Sequence, residues 1–128
     1  MKLRTRSQSI RLRLSRGEVA TLVDKGLVTE AVVFGPTSEL RATLRVSSTR
    51  SVLGALFDSG HVIVEVPLAV ARAWAASDEV SLTGRQDVAG GEPVALLVEK
   101  DFACLKPRTG EDDSDAFPHP NEATGVCG

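Results

Sequence analysis

Ser9-Ile10-Arg11-Leu12-Arg13-Leu14-Ser15-Arg16-Gly17-Glu18-Val19 changes its period in the middle. Up to Leu14, apolar and basic residues alternate, so Ile10, Leu12 and Leu14 line one face of a strand while Arg11 and Arg13 take the other. From Ser15 the pattern turns helical. Ser15 and Glu18 have the spacing of a capping box, in which hydroxyl and carboxylate each satisfy an orphan amide. Val19, Leu22 and Val23 continue as an apolar stripe, and Gly26 stands where a helix would stop. A half-buried strand running directly into a capped helix sets the fold class as α+β.

Towards the N-terminus, Lys2 to Arg6 also alternates, and Ser7-Gln8 is placed to turn the chain back. The resulting hairpin would show Lys2, Arg4, Arg6, Arg11 and Arg13 on its solvent face. Five like charges on one face repel and call for anions nearby.

Towards the C-terminus, Val28–Phe34 and Leu40–Val46 alternate on either side of Gly35-Pro36 and read as a second hairpin. Val52–Phe57 suits a short helix or a strand. The Asp58-Ser59-Gly60 turn and the run Val62–Val66 favour a third hairpin. Pro67 suits the first turn of a second helix, with Leu68, Ala71, Trp74 and Ala75 on its buried face and Ser77-Asp78 at its end. Val80–Thr83 and Val94–Leu105 are two further strands joined across Gly90-Gly91. The order ββαββββαββ predicts a single α+β domain, its mostly antiparallel sheet of seven or eight strands covered by two helices. No internal repeat is visible. After Pro107 periodicity stops, so residues 1–105 read as the domain. Residues 106–128 read as an extended acidic, proline-containing tail, packed on the domain or partly disordered.

The chain has 128 residues, 42% hydrophobic and 25% charged, which suits one soluble domain with a real core. Tyr is absent, and four Phe and one Trp leave the core to Val, Leu and Ala. Such scarcity argues against a stacking surface for single-stranded nucleic acid. The basic N-terminus precedes no apolar core of a signal peptide, and no apolar run could span a bilayer. A cytoplasmic setting with Cys104 and Cys127 as thiols is the expectation. Net charge is −2 but unevenly spread. Residues 1–16 hold six cations and no acid, whereas residues 99–122 hold seven acids against three bases. A basic patch can seat phosphate-bearing ligands or the molecule's own acidic segment.

The second notable stretch is Leu96-Leu97-Val98-Glu99-Lys100-Asp101-Phe102-Ala103-Cys104-Leu105. Here three alternating charges interrupt a buried strand, and each needs a partner. Asp101, Cys104, Glu111, Asp112, Asp115 and His119 together offer O, S and N donors for a divalent metal such as zinc, iron or manganese. Regular strand alternation would send Asp101 and Cys104 to opposite faces, so a bulge near Ala103 would be needed to unite them. The acids lack the spacing and glycine of an EF-hand. Cys104 with His61 or His119 could make a nucleophile–base pair, and paired carboxylates could serve acid–base chemistry, but no spacing marks either. No P-loop, dinucleotide fingerprint, C-x-x-C or G-x-S-x-G is present.

Two signatures carry a resemblance. The first is Ser9-Ile10-Arg11-Leu12-Arg13-Leu14 with the helix start from Ser15 to Val19. The second is Leu97 to Leu105, then Arg108, Glu111-Asp112, Asp115 and Phe117-Pro118-His119-Pro120. With these the chain resembles a family of small uncharacterised bacterial proteins, over nearly its whole length. Relatives of this kind carry Gly-Asn in place of Ser7-Gln8 and Asn in place of His119. The resemblance implies no activity.

Three functions are compatible with these residues. In the first, the protein is a non-catalytic binding or accessory module whose basic hairpin pairs with its own acidic C-terminal segment, through Arg4, Arg11, Arg13 and Arg108. In the second, the rear donor set holds a metal, in a binding protein or a metal-dependent enzyme. In the third, the arginine-rich face binds a small anion or nucleic acid. A protein partner or small anionic ligand fits better than nucleic acid because the domain lacks an overall basic footprint.

Overall fold

The computed structural model describes residues 1–102. They form β1 (Lys2–Thr5), β2 (Ser9–Leu14), α1 (Arg16–Lys25), β3 (Leu27–Gly35), β4 (Ser38–Ser47), β5 (Gly54–Asp58), β6 (His61–Pro67), α2 (Leu68–Ala75), β7 (Ser81–Gln86) and β8 (Val94–Lys100). The α+β class and the element order are those the sequence implies. The capping box is present: Ser15 Oγ accepts from the Glu18 amide at 3.3 Å, and the Glu18 carboxylate accepts from the Ser15 amide at 2.9 Å. Gly26 ends α1 in the left-handed conformation, its amide donating to the Leu22 carbonyl. Pro67 sits at the N-cap of α2 and not inside its first turn.

The strands divide into two four-stranded sheets. Sheet I has the order β1-β2-β8-β7 and sheet II the order β3-β4-β6-β5. In each, two antiparallel hairpins meet along a parallel seam, β2 with β8 and β4 with β6. Parallel neighbours require a long crossover. For sheet I it is the whole of sheet II, both helices and β7.

The sequence shows no internal repeat, yet the fold contains one. The unit ββαββ occurs twice, and the second unit's strands complete the sheets begun by the first. Arg13 opposes Glu99 across the seam of sheet I, and Arg45 opposes Glu65 across the seam of sheet II. The buried helix residues Val19 and Leu22 correspond to Ala71 and Trp74. The same bonds recur, Val46 N to Gly26 O at 2.8 Å and Lys100 N to Val80 O at 2.9 Å. Ser7 and Ser59 take the same place in the first turn of each unit, with φ of 49° and 50°. Glycine adopts this left-handed backbone without strain.

One core joins the layers. Leu12, Leu14, Leu82, Leu96 and Val98 enter it from sheet I, Val28, Leu44, Val64 and Val66 from sheet II, and Val19, Leu22, Ala71 and Trp74 from the helices. Trp74 is fully buried, and its indole N–H donates to the Val80 carbonyl at 3.3 Å. Along one edge the sheets approach closely. A Cβ on Gly84 would lie 2.7 Å from Leu53 Cβ, so only glycine admits this contact. Nearby, the Ala55 amide donates to Gln86 Oε1 at 2.9 Å. Among the described residues no helix is long and apolar enough to cross a membrane.

Candidate functional site

The outer face of sheet I collects the charges of the N-terminal hairpin. Registration puts Lys2, Arg13, Glu99 and Ser81 in one row, and Arg4, Arg11, Leu97 and Thr83 in the next. Arg4, Arg11 and Arg13 therefore do come together. Arg13 departs from the expected solvent exposure: it is 5% exposed, and its Nε donates to Glu99 Oε1 at 2.5 Å. Burial became tolerable because β8, not solvent, lies beside β2 and brings a carboxylate into register. Arg11 Nε lies 3.6 Å from the same oxygen. Lys2 Nζ binds Asp101 Oδ2 at 2.9 Å. Arg4, Arg13 and Asp101 are none of them without a partner. Between these side chains lies a cavity of about 240 Å³ lined by Lys2, Leu3, Arg4 and Arg13.

The three charges that interrupt the rear strand are each accounted for. Glu99 points outward to Arg13 and Arg11. Lys100 points the other way, donating to the carbonyls of Trp74 at 2.9 Å and Ser77 at 2.7 Å, and lying 5.4 Å from the Trp74 ring centroid. It thereby satisfies the carbonyl end of α2, where a cation is favoured. Asp101 turns back to Lys2. β8 ends at Lys100 and does not reach Leu105 as the pattern suggested, so strand alternation does not relate Asp101 to Cys104.

Sheet II carries the matching cluster with its signs exchanged. Glu65 on β6 accepts from Arg45 Nε at 3.0 Å and from Arg50 Nε at 2.8 Å. The Arg50 guanidinium lies over Gly54, where a Cβ would be 2.0 Å from it. The Arg50 hydrogen bond holds the Glu65 carboxyl below its ordinary pKa; burial opposes the shift and Arg45 reinforces it. Farther along the same face, Thr43 Oγ1 lies 2.8 Å from His61 Nε2 and 3.0 Å from Thr29 Oγ1. Sheet II balances Arg41, Arg45 and Arg50 against Glu39, Asp58 and Glu65. Sheet I sets Lys2, Arg4, Arg11 and Arg13 against Glu99 and Asp101, so the surplus positive charge belongs to sheet I.

Arg108, Cys104, Glu111, Asp112, Asp115 and His119 lie outside the described residues. Among the described residues no three metal-ligating side chains gather, and Asp101 is engaged by Lys2. The Glu65 cluster and the role of Lys100 escaped sequence reasoning. The signal that marks the first is the matching place of Arg13 and Glu65, each between two fully buried apolar residues of its strand.

A model for a family of unknown function (DUF7009) matches residues 1–121. No curated protein and no solved structure matches the chain.

Proposed function

We propose that this chain, which belongs to the family of unknown function DUF7009, is a non-catalytic binding or accessory module whose basic face on sheet I seats its own acidic C-terminal segment. The surplus of cations on that face carries the reading. Lys2, Arg4, Arg11 and Arg13 share one face, where Lys2 meets Asp101 and Arg11 and Arg13 meet Glu99, and a face this rich in cations attracts further anions. The chain also leaves β8 beside this patch, because Asp101 is held by Lys2. Glu111, Asp112, Asp113 and Asp115 follow within reach of it in sequence. Arg108 would join the same network.

Arg4 and Arg11 test this best, since they are more exposed than the buried Arg13. Replacing both with Gln should hasten proteolytic cleavage beyond Leu105 and lower the melting temperature at low salt. Unchanged cleavage and melting would sink the reading. A second reading rests on the cavity between Lys2, Arg4 and Arg13, which suits a small phosphate-bearing anion. In that case inorganic pyrophosphate should raise the melting temperature, with the gain lost in Arg4→Gln and at high salt.

A further inference from the structure

α1 packs against α2, and Leu22, Ala71 and Trp74 enter the core from the two helices. Beside that contact α1 carries a further apolar row, Val19, Ala20 and Val23, at helical spacing. α2 answers with Ala75 and Ala76, and Phe102 joins them from just beyond the end of β8. These six residues line a groove of about 1030 Å³. Ala20, Val23, Ala76 and Phe102 are all exposed there, Phe102 by 57%. Contiguous apolar surface of this kind marks a place where something docks.

Where the chain leaves β8 points to the occupant. Asp101 is held twice, its amide donating to the Leu14 carbonyl at 2.8 Å and its carboxylate binding Lys2. From that fixed point Phe102 enters the groove, and Ala103, Cys104 and Leu105 follow it in sequence. Four consecutive apolar residues are costly to leave in water. Their length fits as well. The α1 wall from Arg16 to Asp24 is about 12 Å long, and Phe102 to Leu105 spans about 10 Å when extended. Charge favours a neutral occupant. Lys100 and Asp101 at the rim are engaged elsewhere, and Arg16 and Arg72 are balanced by Asp24 and Asp78.

We infer that the groove between α1 and α2 is the docking site of the chain's own segment Ala103-Cys104-Leu105, which follows Phe102 along it. Cys104 serves there as a small buried hydrophobe. This docking does not depend on the acidic seat proposed above and is compatible with it. From Leu105 to Glu111 about 20 Å of extended chain remains to carry the acids to the basic face.

Cys127→Ala leaves Cys104 as the single thiol of the full chain. Its alkylation by iodoacetamide should run at least about tenfold slower in the folded protein than in urea. Val23→Lys puts a charge into the groove wall in the last turn of α1, where a helix tolerates a cation. That variant should restore most of the unfolded rate. Arg4→Gln with Arg11→Gln should leave Cys104 protected, even if it frees the acids, and so separates this docking from the acidic seat. Should Val23→Lys fail to fold, Leu105→Asp makes the same test from the segment's side, beyond the end of β8. Alkylation at the unfolded rate overturns the inference, as does protection that survives both Val23→Lys and Leu105→Asp. Protection lost in the Arg4 and Arg11 variant would place the segment on sheet I and also overturns it. So does protection that rises with protein concentration, which would put the segment in the groove of a second copy.

Discussion

Glu65 and Arg13 hold equivalent places in the two halves, and both are charges that β-sheet pairing has taken partly out of water. For Glu65 the sign of the pH effect follows from its depressed pKa. Unfolded, the carboxyl titrates near its ordinary value of 4.5; folded, it titrates lower. Its contribution is therefore complete above pH 4.5 and is lost as pH falls through the folded value. Glu65→Gln should lower stability at neutral pH by about 2 kcal/mol, the worth of hydrogen bonds to a charged group. It should also flatten the acid side of the stability profile, which chemical unfolding from pH 3 to 7 would reveal. Glu99→Gln should cost more, about 3 kcal/mol, because it leaves the nearly buried Arg13 without its carboxylate. Periodicity made Arg13 look like a solvent-facing residue. The burial comes from β8, which is remote in sequence, and a local pattern carries no trace of it.

Among the elements, those fixed by local chemistry were legible. The Ser15–Glu18 box, the Gly26 stop and the Ser59-Gly60 turn each have a mechanism within a few residues, and each is present. Gly60 has φ of 80°, and a Cβ there would lie 2.8 Å from the Glu39 carbonyl oxygen. Gly60→Ala should accordingly destabilise the protein by about 2 kcal/mol, through strain and a backbone clash. Ser15→Ala should cost about 1 kcal/mol, and comparing the two by thermal melting checks that the turn matters more than the cap. What was hidden is the choice of partner. Alternation shows that β2 is half-buried but not that β8 runs parallel beside it. Nor does it show that four hairpins split into two sheets.

Over the whole molecule, the repeat and the charge map belong together. Each sheet has an Arg–Glu pair across its parallel seam, and in sheet I the basic β1 adds Lys2, which meets Asp101, and Arg4 to the same face. The duplication was invisible in the sequence because the halves share positions of burial and almost no residue identities. Val19 stands for Ala71, Leu22 for Trp74, and Arg13 for Glu65. The charge complementarity between the chain's two ends was plainly legible, and the fold adds where its basic half resides. The proposed seat for the acidic segment is tested most directly by a double-mutant cycle. One arm carries Arg4→Gln with Arg11→Gln, the other Glu111→Gln, Asp112→Asn, Asp113→Asn and Asp115→Asn, with stability measured at low and high salt. The account predicts a coupling of at least about 1 kcal/mol at low salt that shrinks as salt screens it. Additivity within about 0.3 kcal/mol at low salt would contradict it.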